Sequence, residues 1–238
     1  MSETSPRLFI VSPHFDDAVF SCGALLASHP DAAVCTVFAA PPAHEMHTEW
    51  DARSGFSGAR EAVHARTIED NDALATLDAI PVRMPFCDGQ YLDSPSISTL
   101  AAALEEIIYG STANTLLMPV GLFHSDHELV SDACCEVLPR LAHLAWFGYE
   151  EAIHRRQPGV VDARLDELAR RGIVATPAHP DAQHAIDPAR QAILKRDAVN
   201  AYASQLRAFG PHGCDDVFAP ERYWQLNMTH TPACHVKK

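Results

Sequence analysis

The chain has 238 residues, 47% of them hydrophobic and 21% charged, a globular composition that excludes disorder as its main state. Lys and Arg number 18 against 31 Asp and Glu, for a formal net charge of −13, which argues against a nucleic-acid partner because such a partner needs clustered positive charge to displace counterions. The length predicts one domain over 1–238, less regular from about residue 150. Seven cysteines occur without a C-x-x-C, and Cys134 and Cys135 are adjacent, which suits neither a zinc knuckle nor a disulfide framework. A reducing compartment fits them best. The opening MSETSPRLFI has no basic stretch followed by a long apolar run, and no apolar run reaches membrane-spanning length. The expectation is a cytoplasmic protein.

Residues 8–11 (LFIV) form a short apolar run ending at Ser12-Pro13 and predict a buried strand. From Asp17 onward the apolar spacing predicts a helix, then a second strand over 33–38. The stretch 39–58 has no clear periodicity and is expected to be a functional loop. A helix over 59–77, a strand over 80–84, a helix over 96–109 and a strand over 115–118 follow. Next come a helix over 127–144 and a strand over 145–149. This alternation predicts an α/β fold, Rossmann-like, with a mostly parallel sheet and helices on both faces. Beyond it the expectation is a helix over 160–171, a loop over 175–187, one long helix over 188–209, and a last short element around Tyr223-Trp224.

Fourteen histidines are many for a chain of this length, and histidine is the commonest metal ligand. Ser12-Pro13-His14-Phe15-Asp16-Asp17 ends the first strand and opens the first helix. In open α/β sheets, ligands bind at the carboxyl ends of strands. His14, Asp16 and Asp17 therefore belong on the functional rim, where nitrogen and carboxylate ligands suit Zn²⁺. A further carboxylate beside water suits a general base. Taken alone, the same residues also read as a helix cap with a surface histidine. A second cluster, His124-Ser125-Asp126-His127, ends the fourth strand and shares that rim. Together the two clusters supply two His and one Asp with a position open for water, the composition of a catalytic zinc site.

With these segments in place the chain resembles the LmbE-like, or PIG-L, de-N-acetylase family. That family is marked by His-Pro-Asp-Asp-Glu after the first strand and His-x-x-His after a later one. Here the motifs read His14-Phe15-Asp16-Asp17-Ala18 and His124-Ser125-Asp126-His127. Three weaker likenesses accompany them: Arg66-x-x-Glu69-Asp70, Phe86-Cys87-Asp88-Gly89, and Lys195-x-x-Ala198-x-x-x-Tyr202-x-Ser204-Gln205. The resemblance implies His14, Asp17 and His127 as zinc ligands, other divalent ions being possible. It implies Asp16 as general base, and His124 as the group that stabilises the tetrahedral intermediate or protonates the leaving amine. Asp126 would orient and charge-tune His124, and Arg66 and Asp88 would contact the sugar. Phe15 and Ala18 depart from the family's Pro and Glu without touching an implied ligand, and they favour a subgroup of sugar or natural-product pathways.

The implied reaction is zinc-dependent removal of an N-acetyl group from an N-acetylglucosamine-type sugar or conjugate. The alternative is an amidase acting on an acylated natural product or thiol conjugate. Either partner is a small molecule, and the oligomeric state is open, a homo-oligomer included. A dinucleotide-binding module is disfavoured because no G-x-G-x-x-G follows the first strand. A non-catalytic binding protein is disfavoured because it would not need Asp16. Trp50 or Phe56 is expected to cover the substrate. One carboxylate of Glu150-Glu151 is a candidate for the rim. His44, His47, His179 and His184 are weaker candidates, and Lys195 and Gln205 are expected to be structural.

Overall fold

The computed structural model describes residues 7–92 and 94–229. Residues 1–6, which open the segment read for a leader, and Cys234 lie outside them.

The first strand, β1 (Leu8–Ser12), is buried along its whole length. An unbroken apolar run of this kind is what a parallel strand covered on both faces requires. After it come α1 (Asp17–Ala27), β2 (Ala33–Thr36), α2 (Glu49–Ser54), α3 (Ala59–Thr76), β3 (Ile80–Arg83), α4 (Ile97–Gly110) and β4 (Thr115–Pro119). The chain continues through α5 (Ser125–Val137), β5 (Ala145–Tyr149), α6 (Val160–Arg170), β6 (Ile173–Pro177), α7 (Pro188–Ala201), α8 (Ala203–Phe209) and β7 (Tyr223–Met228). The seven strands make one sheet in the order β3-β2-β1-β4-β5-β7-β6. The first five are parallel, and β7 runs antiparallel to both β5 and β6.

Alternation along β1 divides the core. Leu8 and Ile10 pack with Phe20 and Leu26 of α1, Leu74 of α3 and Val199 of α7 on one face. Phe9 and Val11 pack with Leu100 and Leu104 of α4 and Val130 of α5 on the other. Leu104 has no exposed surface. Leu104→Ala should therefore lower the unfolding free energy by about 2–5 kcal/mol, read from the shift of the urea midpoint at constant slope.

The expected order of parallel units holds, with four local corrections. The 39–58 stretch contains the helix α2. Thr48 caps it by accepting the Asp51 N–H, and Gly55 closes it at φ 93°. The loop expected over 175–187 begins inside the edge strand β6, whose Pro177 is tolerated there because its missing N–H is no loss at a strand end. The helix expected over 127–144 starts at Ser125 and stops at Val137, two residues before Pro139. The helix expected over 188–209 breaks at Tyr202, which leaves the helical region and turns its buried hydroxyl to Phe15 O and Asp70 Oδ1 at 3.0 and 2.8 Å. The N-terminus of α8 is satisfied by Glu69 of α3, which accepts both the Ser204 N–H and its hydroxyl.

The chain leaves β1 toward β2 on one side and returns to β4 on the other, so strand order reverses between β1 and β4. A crevice opens at the carboxyl ends of the strands at such a reversal. The turns after β1, β4 and β5 all meet there.

Candidate active site

The turn after β1 is fixed by Ser12, whose hydroxyl donates to His14 O at 2.6 Å and accepts the Ala18 N–H at 3.0 Å. Asp17, the first residue of α1, is buried with Oδ2 3.2 Å from His14 Nδ1 and 3.2 Å from His127 Nε2. Those three donor atoms lie within 4.8 Å of one another. Neighbouring donors of a tetrahedral ion with bonds of about 2.0–2.1 Å sit about 3.3–3.4 Å apart. The triad thus fits a divalent cation in both spacing and donor type. The electrostatics agree. Burial opposes charge on His127, but Asp17 and Glu151 outweigh it and lift its pKa to about 9. Buried carboxylates here demand positive charge, which a cation at the triad would supply in place of protons.

Both imidazoles of the triad have a carboxylate on the nitrogen turned away from it. Asp126 Oδ2 lies 3.1 Å from His14 Nε2 and accepts the Gly89 N–H at 3.0 Å. Glu151 Oε1 lies 3.3 Å from His127 Nδ1 and accepts the N–H groups of Gly121 and Leu122 at 2.8 and 2.9 Å. Such partners fix the tautomer and raise the basicity of a ligand. Glu151→Gln, which cannot carry the anion, should weaken zinc binding by about 10–100-fold, measured by competition with a chromophoric chelator. His14, His124 and Asp126 also come within ligating distance of one another. They share His14 with the first triad, and His124 is exposed whereas Asp17 and His127 are both buried.

Asp126 reaches His124 through its charge, which raises the His124 pKa, and through its backbone, while its carboxylate bonds a second histidine. The carboxylate faces His14, and the backbone N–H reaches His124 Nδ1 at 3.2 Å. His124 is thereby the cap of α5. Because Nδ1 accepts, the proton of the neutral ring sits on Nε2, so His124 presents a donor. Partial desolvation of the ring at the cavity wall and the neighbouring His14 and His127 hold its pKa below the ordinary value and favour that neutral form.

Asp16 occupies the cap position of α1 but makes no capping bond with its side chain. Its Oδ2 is buried without a hydrogen-bond partner among the described residues, and the residue lines the central cavity. Burial, and then the charge of Asp17, raises its pKa to about 7. The capping alternative for this residue is therefore not what the structure contains.

Arg66 and Asp88 also line this cavity of about 320 Å³. Arg66 donates to Asp51 Oδ1 at 2.8 Å, and Tyr91 donates to the same carboxylate at 3.0–3.1 Å. Helix α2 thus steadies the guanidinium. Asp88 accepts the Gln90 N–H and side-chain amide at 2.9 and 2.7 Å and stands 3.9 Å from His14 Nε2. A Cβ on the following Gly89 would lie 2.5 Å from Asp126 Oδ1, so only glycine lets this turn approach Asp126 so closely.

Of the aromatic candidates, Trp50 lines the cavity, its indole N–H donating to Gln205 Oε1 at 3.2 Å. Gln205, expected to be structural, is a wall residue too. Phe56 instead packs on the Arg66 guanidinium. Lys195 is structural as expected, paired with Glu221 at 2.7 Å. His47 bonds Ser57 O, and His179 packs on Tyr223. Neither they nor His44 and His184 line the cavity. His154, in the turn after β5, was missed. It belongs to no spacing pattern, and its only signal was its position four residues after the Glu150 that follows a strand.

No family model and no curated protein matches the chain by sequence. Solved structures do. The structure of an A40926 pseudoaglycone deacetylase is 25% identical with a TM-score of 0.73, covering 94% of this chain and 98% of that one. The zinc-inhibited form of a teicoplanin deacetylase is 21% identical with a TM-score of 0.76, covering 94% and 99%. N,N'-diacetylchitobiose deacetylase from Pyrococcus horikoshii is 14% identical with a TM-score of 0.54, covering 87% and 72%. The latter two likenesses are likenesses of fold. These neighbours agree with the resemblance read from the two histidine-aspartate motifs.

Proposed function

We infer that this chain is an amide hydrolase of the LmbE-like, or PIG-L, type, a metal-dependent deacetylase acting on an N-acetylated amino sugar or its conjugate. The observation that carries the reading is the convergence of the His14, Asp17 and His127 donors beside an unpartnered buried carboxylate, Asp16, in a cavity at the sheet's reversal point. The 25% identical deacetylase, matched over nearly both whole chains, supports the reaction class.

Zinc is the ion we assign, given two imidazoles and one carboxylate as ligands. A divalent ion held there acts as a Lewis acid toward the amide carbonyl and makes water acidic enough to attack near neutral pH. Asp16 takes the proton of the attacking water and returns it to the nitrogen as the C–N bond breaks, since an amine leaves only when protonated. His124 directs its Nε2–H toward the oxygen that gains negative charge, a donor of a kind worth about 2.7–4 kcal/mol. Arg66 and Asp88 hold the sugar. The products are a free amine and acetate.

The assigned location is the cytoplasm, supported by the thiol state of Cys22, Cys35, Cys134, Cys135 and Cys214. Among the described residues no helix is long and apolar enough to cross a membrane. The alternative substrate, an amide with a bulkier acyl group, is favoured by one observation: part of the cavity wall is apolar, with Trp50 edge-on to Phe209 at 4.9 Å. Amine release from a panel of N-acetylglucosamine glycosides and longer N-acyl analogues, using zinc-reconstituted protein, tests both. Turnover of acetamides establishes the first reading. Turnover only of the longer acyl chains establishes the second, and none on any member despite bound zinc refutes both.

A further inference from the structure

The turn after β5 carries a histidine that no motif includes. His154 lines the active-site cavity, its ring centroid 4.9 Å from that of His127 and 6.2 Å from that of His124. The chain on both sides of it is anchored. Before it, Glu151 is fixed by two backbone N–H groups, and the Ala152 N–H donates to Ser21 Oγ at 3.1 Å. After it, buried Arg155 donates to the Asp216 carboxylate and to Pro220 O. Phe123 covers the outer side, its ring centroid 5.6 Å from that of His154. Phe123 holds φ at 65°, a left-handed conformation that residues other than glycine rarely adopt, with its side chain exposed. Strain of this kind persists where the surroundings enforce it, and it gathers at ligand sites.

Despite that mounting, no described residue hydrogen-bonds the His154 ring. Among the described residues its nitrogens have no hydrogen-bond partner, and it stands outside the three donors that could hold an ion. A neutral imidazole offers one donor and one acceptor, and a hydroxyl group offers the same pair in return. We propose that His154 is a substrate-binding residue that hydrogen-bonds the hydroxyl on the carbon next to the one bearing the scissile acylamino group, so that the enzyme selects 2-acylamino sugars over simple amides. This rests on the hydrolase reading above.

The test is steady-state kinetics of a 2-acetamido sugar and its analogue lacking the neighbouring hydroxyl, on zinc-loaded parent, His154→Phe and His154→Gln. Phe preserves the packing against Phe123, whereas Gln restores a donor and an acceptor. The parent should show KM about tenfold higher for the deoxy analogue, Phe should show that rise already with the full substrate and no further rise with the analogue, and Gln should recover to within about threefold of the parent. Zinc content should be the same in all three. An equal deoxy penalty in parent and Phe overturns the proposal, as does loss of zinc in Phe, which would make His154 a support for His127. If the parent hydrolyses neither compound, the hydrolase reading is what fails. Calorimetric binding of the two compounds to the zinc-loaded proteins then decides His154 by the same comparison, a tenfold preference lost in Phe supporting it and an unchanged preference overturning it.

Discussion

Asp16→Asn should lower kcat by about 10²–10⁴-fold, the usual worth of a positioned general base, while zinc remains bound at one equivalent. The substitution is nearly isosteric, and Asp16 Oδ2 has no hydrogen-bond partner among the described residues, so no contact within the fold is broken. Nor does the side chain cap α1. A merely structural carboxylate at this position would instead betray itself by a drop in melting temperature with turnover preserved. The measurement is kcat together with metal content by emission spectroscopy. Full activity in Asp16→Asn would remove the base from the mechanism and return the residue to the role of a helix-start acid.

The adjacent residue should behave in the opposite manner. Asp17→Asn should lose the metal and turnover together, because Asp17 Oδ2 lies 3.2 Å from both imidazoles. In the parent, zinc at 100 times its dissociation constant should stabilise the fold by about 2.7 kcal/mol, which for a domain of this size raises the melting temperature by about 5–10 °C. In Asp17→Asn the zinc-dependent rise should vanish. A rise of equal size in both proteins would mean that the ion binds elsewhere. Two neighbouring aspartates thus give separable signatures, one kinetic and one thermodynamic, and a pair of thermal melts with and without zinc distinguishes them.

What could be read from the chain alone followed how local its cause was. The motif around His14 was legible because it sits within a few residues of an unmistakable apolar strand, and the same holds for His124 to His127 after β4. Helix α2 carried a signal that was passed over: Thr48, Asp51 three residues on, and Gly55 spell a capped turn, but no apolar periodicity advertised it in a segment this short. The break at Tyr202 had no local signal. No Pro or Gly marks it, and its cause is a hydroxyl drawn to Asp70 and a cap supplied by Glu69, both far away in sequence. The second partner of Asp126 was hidden for the same reason. In the sequence its neighbour is His124, whereas in the fold its carboxylate meets His14, 112 positions away. His154 was invisible because a lone histidine beyond a strand gains meaning only once the turns after β4 and β5 are seen side by side.

That separation between His14 and the β4 turn has a bearing on how the protein matures. The ligand set does not exist until β1 has paired with β4, and pairings so distant along a chain form late. A nascent chain with fourteen histidines and seven cysteines offers many weak, wrong resting places for zinc, and metal held by the unfolded state detracts from the stabilisation it gives the native one. Assembling the chelating geometry only when the centre of the sheet closes would make tight capture of the proposed ion a late event in biogenesis. Selective metallation would then report that folding is complete, and a chain arrested before that pairing would be left with weak, exchangeable metal.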